Sequence, residues 1–228
     1  MINENLYSRQ VGIIRPDELQ YHVLIVGAGG IGSWTALALL KLGVSRITIL
    51  DYDLVEDVNM APQFYNKSHD GKTKVEALVG RLQEEALPGQ TITGVQAKWE
   101  EWTGRDEFLM GEFVDFVIMA VDLMDVRIQI WNDIKHSGLK GVIDGRMARE
   151  MLEIFAIDPS KEDQVKYFEE HLFPSNTVDH IPCTERAVAY NQFVIAGLVG
   201  STLKQFIKAE LSYKRILFDL FSMSLISQ

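Results

Sequence analysis

The stretch His22-Val-Leu-Ile-Val-Gly27-Ala-Gly29-Gly30-Ile-Gly32 decides how this 228-residue chain is to be read. Four apolar residues follow His22, a short run that predicts a buried strand over 22–26. The glycines then fall at the spacing G-x-G-x-x-G, and residues 32–42 have the composition of a helix. Each glycine has a mechanical reason: Gly27 for a tight turn, Gly29 so that a phosphate can reach the backbone, and Gly32 so that the helix can sit close to the strand. The N–H groups at such a helix start, together with its dipole, bind an anion without any basic side chain. By itself the pattern specifies a nucleotide. The extra glycine, Gly30, and the residues that follow narrow it.

A second strand is predicted at Arg46-Ile-Thr-Ile-Leu-Asp51, after Gly43, which is placed to cap the helix. Asp51 stands at the strand end where an acidic residue meets ribose hydroxyls. An NAD enzyme would fit equally well to this point. The chain continues with Asp51-Tyr-Asp53-Leu-Val-Glu-Asp-Val-Asn59 and then Gly71-Lys72-Thr-Lys74. A hydride-transfer domain has no need of a second carboxylate, an amide and a lysine pair here. A nucleotide whose phosphates are to be attacked does.

Outside the glycine stretch, strand and helix alternate. Further strands are predicted at 91–97, 114–121, 140–145 and 151–158, and helices at 72–87 and 125–137. A helix over 187–208 and a strand over 214–221 close the chain. The alternation predicts an α/β, Rossmann-like, mostly parallel sheet with helices on both faces, followed by a small loop, helix and strand extension. One domain spans 1–228, with an N-terminal arm over 1–20 and a polar, proline-containing loop over 172–186.

The ordered series resembles the ThiF/MoeB/HesA family, the ubiquitin-activating-type adenylating enzymes. Tyr7-Ser-Arg9-Gln10 resembles the family's Y-x-R-Q segment, whose arginine reaches the ATP phosphates from a partner subunit. Gly27, Gly29, Gly30 and Gly32 match its G-x-G-G-x-G, and Asp51 and Asp53 its D-x-D. Asn59 and Gln63 match the ends of its N-L-x-R-Q motif, and Lys74 its phosphate-contacting lysine. Asp122, after the apolar run 114–121, matches the carboxylate the family uses near Mg-ATP. The resemblance implies ATP and Mg2+ as cofactors, a homodimer, and catalytic roles for Arg9, Lys74 and Asp122, the last as metal ligand.

Three departures qualify the match. The arginine of N-L-x-R-Q is missing, since the segment reads Asn59-Met-Ala-Pro62-Gln63; Lys72, Arg146 or Arg149 could replace its charge. The sulfur-transfer members carry two C-x-x-C pairs for zinc, which needs about four ligands. With one cysteine and five histidines at unsupportive spacing, no zinc is expected. Val142-Ile-Asp-Gly-Arg146-Met-Ala-Arg149 also stands where many relatives have a glycine-rich stretch.

Composition limits the alternatives. At 47% hydrophobic and 24% charged, the chain can build one sizeable core. The opening Met1-Ile-Asn-Glu4 has neither the basic nor the apolar region of a secretion signal. The apolar segment 187–207 contains Asn191, Gln192, Lys204 and Gln205, so it reads as a buried helix and not a membrane span. A single cysteine suits a reducing cytoplasm. A net charge of −10 and pI near 5.0 disfavour nucleic acid, which is bound by basic patches. A protein tail or a metabolite is the easier substrate.

Cys183 stands in Pro182-Cys-Thr-Glu-Arg186, with His180 upstream. A lone cysteine can be a small buried hydrophobe. Cationic neighbours would instead favour its nucleophilic thiolate, and Cys-Thr resembles the catalytic-cysteine motif of members that form a thioester with a ubiquitin-like protein. Lys72 is open between a phosphate contact and a solvated helix turn. Asp125 and Arg127 are expected to decorate a helix start. Asp144, Arg146 and Arg149 either face the ligand crevice or form a structural ion pair.

The implied reaction is attack of a substrate carboxylate, such as the C-terminal glycine of a ubiquitin-like protein, on the α-phosphorus of ATP, with pyrophosphate leaving. The acyl-adenylate can then pass to Cys183. Two alternatives stay open: a thioester-independent adenylator (a sulfur-carrier activator, a peptide adenylator or a tRNA threonylcarbamoyladenosine dehydratase), or an inactive regulatory subunit.

Overall fold

All five residues of the first strand, β1 (His22–Val26), are buried, because helices cover both of its faces. The computed structural model describes residues 4–102, 105–106, 114–175 and 188–228. After β1 come α1 (Gly30–Leu42), β2 (Arg46–Asp51), α2 (Lys74–Glu85), β3 (Thr91–Gln96), β4 (Phe116–Met119) and α3 (Met124–Ile134). The second half contributes β5 (Gly141–Ala148), β6 (Met151–Ile157), α4 (Glu162–Glu169), α5 (Ala189–Ile207), β7 (Arg215–Asp219) and β8 (Ser224–Ser227).

The strands form one eight-stranded sheet in the order β3-β2-β1-β4-β5-β6-β7-β8. Pairing is parallel from β3 to β5 and antiparallel from β5 to β8. Side chains alternate across β1. Val23 and Ile25 join a core with Leu39 and Leu40 of α1, Leu78 and Leu82 of α2 and Val199 of α5. Leu24 and Val26 face the opposite way, onto Ile130 and Trp131 of α3 and Phe168 near the end of α4. The predicted α/β class, its parallel order and its two helical layers are all present.

The differences are local. The strand predicted over 114–121 shortens to Phe116–Met119, freeing 120–123 for a loop. The single strand predicted over 214–221 is a hairpin, because the Asp219 carboxylate accepts the N–H groups of Phe221 and Ser222 and turns the chain. Helix α4 was not predicted; it is eight residues long, polar, and buries only Phe168. Among the described residues no helix is long and apolar enough to cross a membrane.

The glycines give a stability test. A Cβ on Gly32 would stand 1.8 Å from the Gly27 carbonyl oxygen, whereas one on Gly80, inside α2, meets nothing within 4 Å. Gly32→Ala should therefore force α1 off β1 and lower the unfolding free energy by about 2–3 kcal/mol or more. Gly80→Ala should raise it by about 0.5–1 kcal/mol. Denaturant unfolding of the two variants beside the parent checks both signs.

Candidate active site

Strand register puts the predicted residues on one rim. Val26 of β1 lies opposite Leu50 of β2 and Met119 of β4, so Gly27, Asp51 and Ala120 leave the sheet side by side. This is the switch point, where the strand order departs from β1 in two directions and an open sheet leaves a ligand crevice. Gly27 has φ +101°, and a Cβ there would lie 2.6 Å from the Ala120 carbonyl oxygen. Gly29 is the N-cap of α1 without a side-chain cap, and a Cβ on it would meet nothing within 4 Å. The uncapped N–H groups of the first turn thus face space of the kind a phosphate fills. Gly30 lies beneath the end of the Gln192 side chain on α5, 3.1 Å from where its Cβ would be.

Two carboxylates at the end of β2 are already engaged. Asp51 accepts the Ala28 N–H at 2.6 Å with one oxygen and the Asp53 N–H at 2.8 Å with the other. It thereby ties its strand to the glycine loop. Asp53 pairs with Lys74 Nζ at 2.7 Å, and the lysine side chain is only 9% exposed. Lys74 opens α2, whose N-cap Thr73 accepts the Glu76 N–H. Asp122 is exposed in the loop after β4. The charges of all three carboxylates act on the Tyr52 phenol. Its pKa is raised by Asp53 first, then by burial, Asp122 and Asp51, with Lys98 opposing.

The segment carrying Asn59 and Gln63 packs onto the start of α1. Asn59 Oδ1 accepts the Glu56 N–H, and its carbonyl accepts the Gln63 N–H. Pro62, at the family's arginine position, offers its carbonyl to Trp34 Nε1 at 3.1 Å. Phe64 N–H donates to Ser33 Oγ, and Tyr65 OH donates to the Ala28 carbonyl at 2.8 Å. Burial, and then Asp51 and Asp53, push the Tyr65 phenol upward, which keeps that donor protonated. Gln63 Oε1 is buried without a hydrogen-bond partner. Lys72 is exposed in the turn before α2.

Arg127 corrects an expectation. It does not decorate the start of α3 but is buried, its Nε 2.6 Å from Asp144 Oδ1. Arg146 Nε donates to the other Asp144 oxygen at 2.8 Å and extends to Glu153, which also holds Arg215. Asp144 and Arg146 therefore form a structural ion pair, and Arg146 is engaged away from the phosphate role left open for it. Removing one partner of so buried a pair costs about 3–5 kcal/mol, because the other charge is stranded. Asp125, by contrast, does stand at the helix start, exchanging hydrogen bonds with Ser175.

Two predicted site residues are not gathered here. Arg9 is exposed beside the far end of α1, where Gln10 Nε2 donates to the Leu42 carbonyl and the Tyr7 ring lies against Gly43. Thirteen helical residues, about 20 Å, separate that end from the glycine loop. Cys183, with His180 and Arg186, lies outside the described residues. Among the described residues no group of three or more His, Cys, Asp or Glu is placed to hold a metal. The one exposed carboxylate of Asp122 fits Mg2+ all the same, since that ion is held by one or two carboxylates together with substrate phosphates and water.

Sequence reading missed Tyr65, Ser33 and Arg127. Ser33 follows the last motif glycine, and a hydroxyl there on a first helical turn was a usable signal. Tyr65 and Arg127 had none, because the Ala28 carbonyl and the Asp144 carboxylate that receive them come from other elements of the fold.

The profile of the ThiF family matches residues 7–226. Among curated proteins, the ubiquitin-like modifier-activating enzyme 5 of Drosophila pseudoobscura pseudoobscura is 31% identical over 57% of this chain, and that of Dictyostelium discoideum 34% over 57%. The matches span 36% and 38% of those relatives' own length. The crystal structure of E. coli MccB with AMPCPP and MccA has a TM-score of 0.71 at 18% identity, covering 99% of this chain and 71% of that one. PaaA has a TM-score of 0.71 at 19% identity, covering 93% and 65%. At such identities the two structures speak for the fold.

The Tyr52 cluster can be titrated. Asp53→Asn removes the largest cause of the raised phenol pKa, so the Tyr52 phenolate should form at lower pH in the variant than in the parent. NMR of ring-labelled tyrosine, with Tyr52 assigned by Tyr52→Phe, reads this directly. An unchanged midpoint would mean that Asp53 does not face the ring.

Proposed function

This chain belongs to the ThiF family, and on that premise we propose that it activates a carboxylate by ATP-dependent adenylation. The observation that carries the reading is the shared rim: an open phosphate cradle at Gly29 stands between the ribose-level carboxylate Asp51 and the exposed Asp122, with Lys74 nearby. The proposed substrate is the C-terminal glycine of a ubiquitin-like protein, in keeping with the names of its relatives.

The chemistry follows from the charges. A carboxylate oxygen attacks the α-phosphorus, the bond from that phosphorus to the bridging oxygen breaks, and pyrophosphate leaves with the electron pair. Two anions must approach, so cations and backbone donors have to be in place beforehand. The first turn of α1 supplies donors that need no reorganisation. Lys74, paired with Asp53 at 2.7 Å, exchanges that carboxylate for a phosphate oxygen when the nucleotide binds. Asp51 holds ribose hydroxyls while anchoring the glycine loop. Mg2+, held at Asp122, would neutralise phosphate charge and so stabilise the departing pyrophosphate. Asn59 and Gln63 belong to the segment that braces the first turn of α1 through Ser33 and Trp34.

A second subunit completes the proposal. Arg9 lies at the wrong end of α1 to reach its own cradle, which supports its action in trans within a two-fold dimer. The arm also presents exposed Ile13, 64% accessible, beside a cavity of about 430 Å³ lined by Ile14, Leu42, Ala196 and Gly200. We place the enzyme in the cytoplasm, where a single cysteine stays reduced, and assign Cys183 as acceptor of the acyl group after adenylation.

Purified protein with ATP, Mg2+ and a ubiquitin-like protein ending in glycine should exchange labelled pyrophosphate into ATP. Asp122→Ala should lower the exchange by about a hundredfold or more, the scale on which removing one preorganised electrostatic group acts. Cys183→Ala should leave it intact, because the thiol acts only afterwards. Tight NAD binding with no ATP binding would overturn the reading.

The subunit arrangement has its own test. Inactive Arg9→Ala mixed with inactive Asp122→Ala should regain part of the exchange, since each mixed dimer holds one intact site. A fully active monomer would refute action in trans.

A further inference from the structure

We propose that Arg127 is a positioning residue for Asp122, and that Asp144 fixes it in that role; the proposal rests on the adenylation reading of this site. Asp122 is exposed, so its direction is set through the backbone that carries it. Arg127 Nη2 donates to the Val121 carbonyl at 2.6 Å. That carbonyl and the Asp122 N–H belong to one rigid peptide plane. Holding the oxygen fixes the plane from which Asp122 projects.

The guanidinium is itself held on both sides. Its Nε lies 2.6 Å from Asp144 Oδ1, and Nη2 also reaches the Gly145 carbonyl at 3.3 Å. One planar group therefore bridges the end of β4 to β5, while its own backbone N–H closes the first turn of α3 on the Leu123 carbonyl. Asp144 is 0% exposed and has both oxygens committed, the second to Arg146, so it has no freedom to rotate away. On the other side of the loop the Ala120 N–H donates to Val26. A lysine would supply the charge but not the fork, because a single ammonium cannot span these acceptors in one plane. Carboxylates that receive a metal must be held closely, and small displacements of a catalytic group are costly.

The inference is tested by a double-mutant cycle on nucleotide binding, which needs no turnover. The affinity of α,β-methylene ATP is measured by calorimetry with Mg2+ and with EDTA for the parent, Arg127→Lys, Asp122→Asn and the double variant. Arg127→Lys should cut the Mg2+-dependent gain in affinity roughly tenfold, the scale seen for groups that orient a metal ligand, and leave the EDTA affinity unchanged. In the Asp122→Asn background the same change should have no further effect. Asp144→Asn should reproduce the Arg127→Lys pattern and serves if that variant does not fold, as judged by thermal unfolding. Equal losses with Mg2+ and EDTA, or equal losses in both backgrounds, would make Arg127 a purely structural residue and overturn the proposal. A parent that binds no nucleotide under either condition would overturn the adenylation reading itself, a result distinct from either of those.

Discussion

The contact on which the structure depends is backbone against backbone, where the glycine loop crosses the end of β4. A Cβ on Gly27 would stand 2.6 Å from the Ala120 carbonyl oxygen, and one on Gly32 would stand 1.8 Å from the Gly27 oxygen. Neither clash could be relieved by a side-chain rotation, since both partners are main chain. Because nothing larger than hydrogen fits, α1 starts directly above the switch point and its N-terminus is aimed at the crevice. The same closeness brings the loop holding Asp122 beside the phosphate cradle.

The rest of the rim is braced by polar bonds that connect separate elements. Asp51 holds β2 to the glycine loop through the Ala28 N–H, and Tyr65 holds the segment after β2 through the Ala28 carbonyl. Both sides of one residue in the loop are thus fixed by partners brought from elsewhere. On the β4 side, a chain of ion pairs that starts at the buried Arg127 and Asp144 and continues through the partly buried Arg146 and Glu153 joins the parallel half of the sheet to the antiparallel half. Buried charges of this kind add little net stability, but they penalise any arrangement that separates them. The antiparallel strands therefore help to hold the rim of the parallel half in place.

Legibility in the sequence followed the range of the interactions. The glycine spacing, the apolar run of β1 and the acidic end of β2 are local signals, and the strand, tight turn and helix they predict are present, with β2 parallel beside β1. The hairpin of β7 and β8 was read as one strand because its turn is made by the Asp219 carboxylate and not by a glycine or proline. A charged residue at a helix start is usually solvated, but Arg127 of α3 is buried because Asp144, on β5, accepts its Nε–H. Pro62 removes an arginine that the resemblance calls for, yet its carbonyl serves Trp34 of α1, a use invisible without the fold. The resemblance implies a phosphate contact for Lys74; in this structure its ammonium lies on Asp53, a pairing between two elements that no sequence motif displays.

On the proposed function, ATP lies with its phosphates on the N-terminus of α1, between Asp51 and Asp122. A crystal structure of the protein with α,β-methylene ATP and Mg2+ tests it most directly. Phosphate oxygens should lie within hydrogen-bond distance of the N–H groups following Gly29, with ribose hydroxyls on Asp51 and Mg2+ between the phosphates and Asp122. A nucleotide bound away from this rim, or one whose phosphates point away from α1, would contradict it.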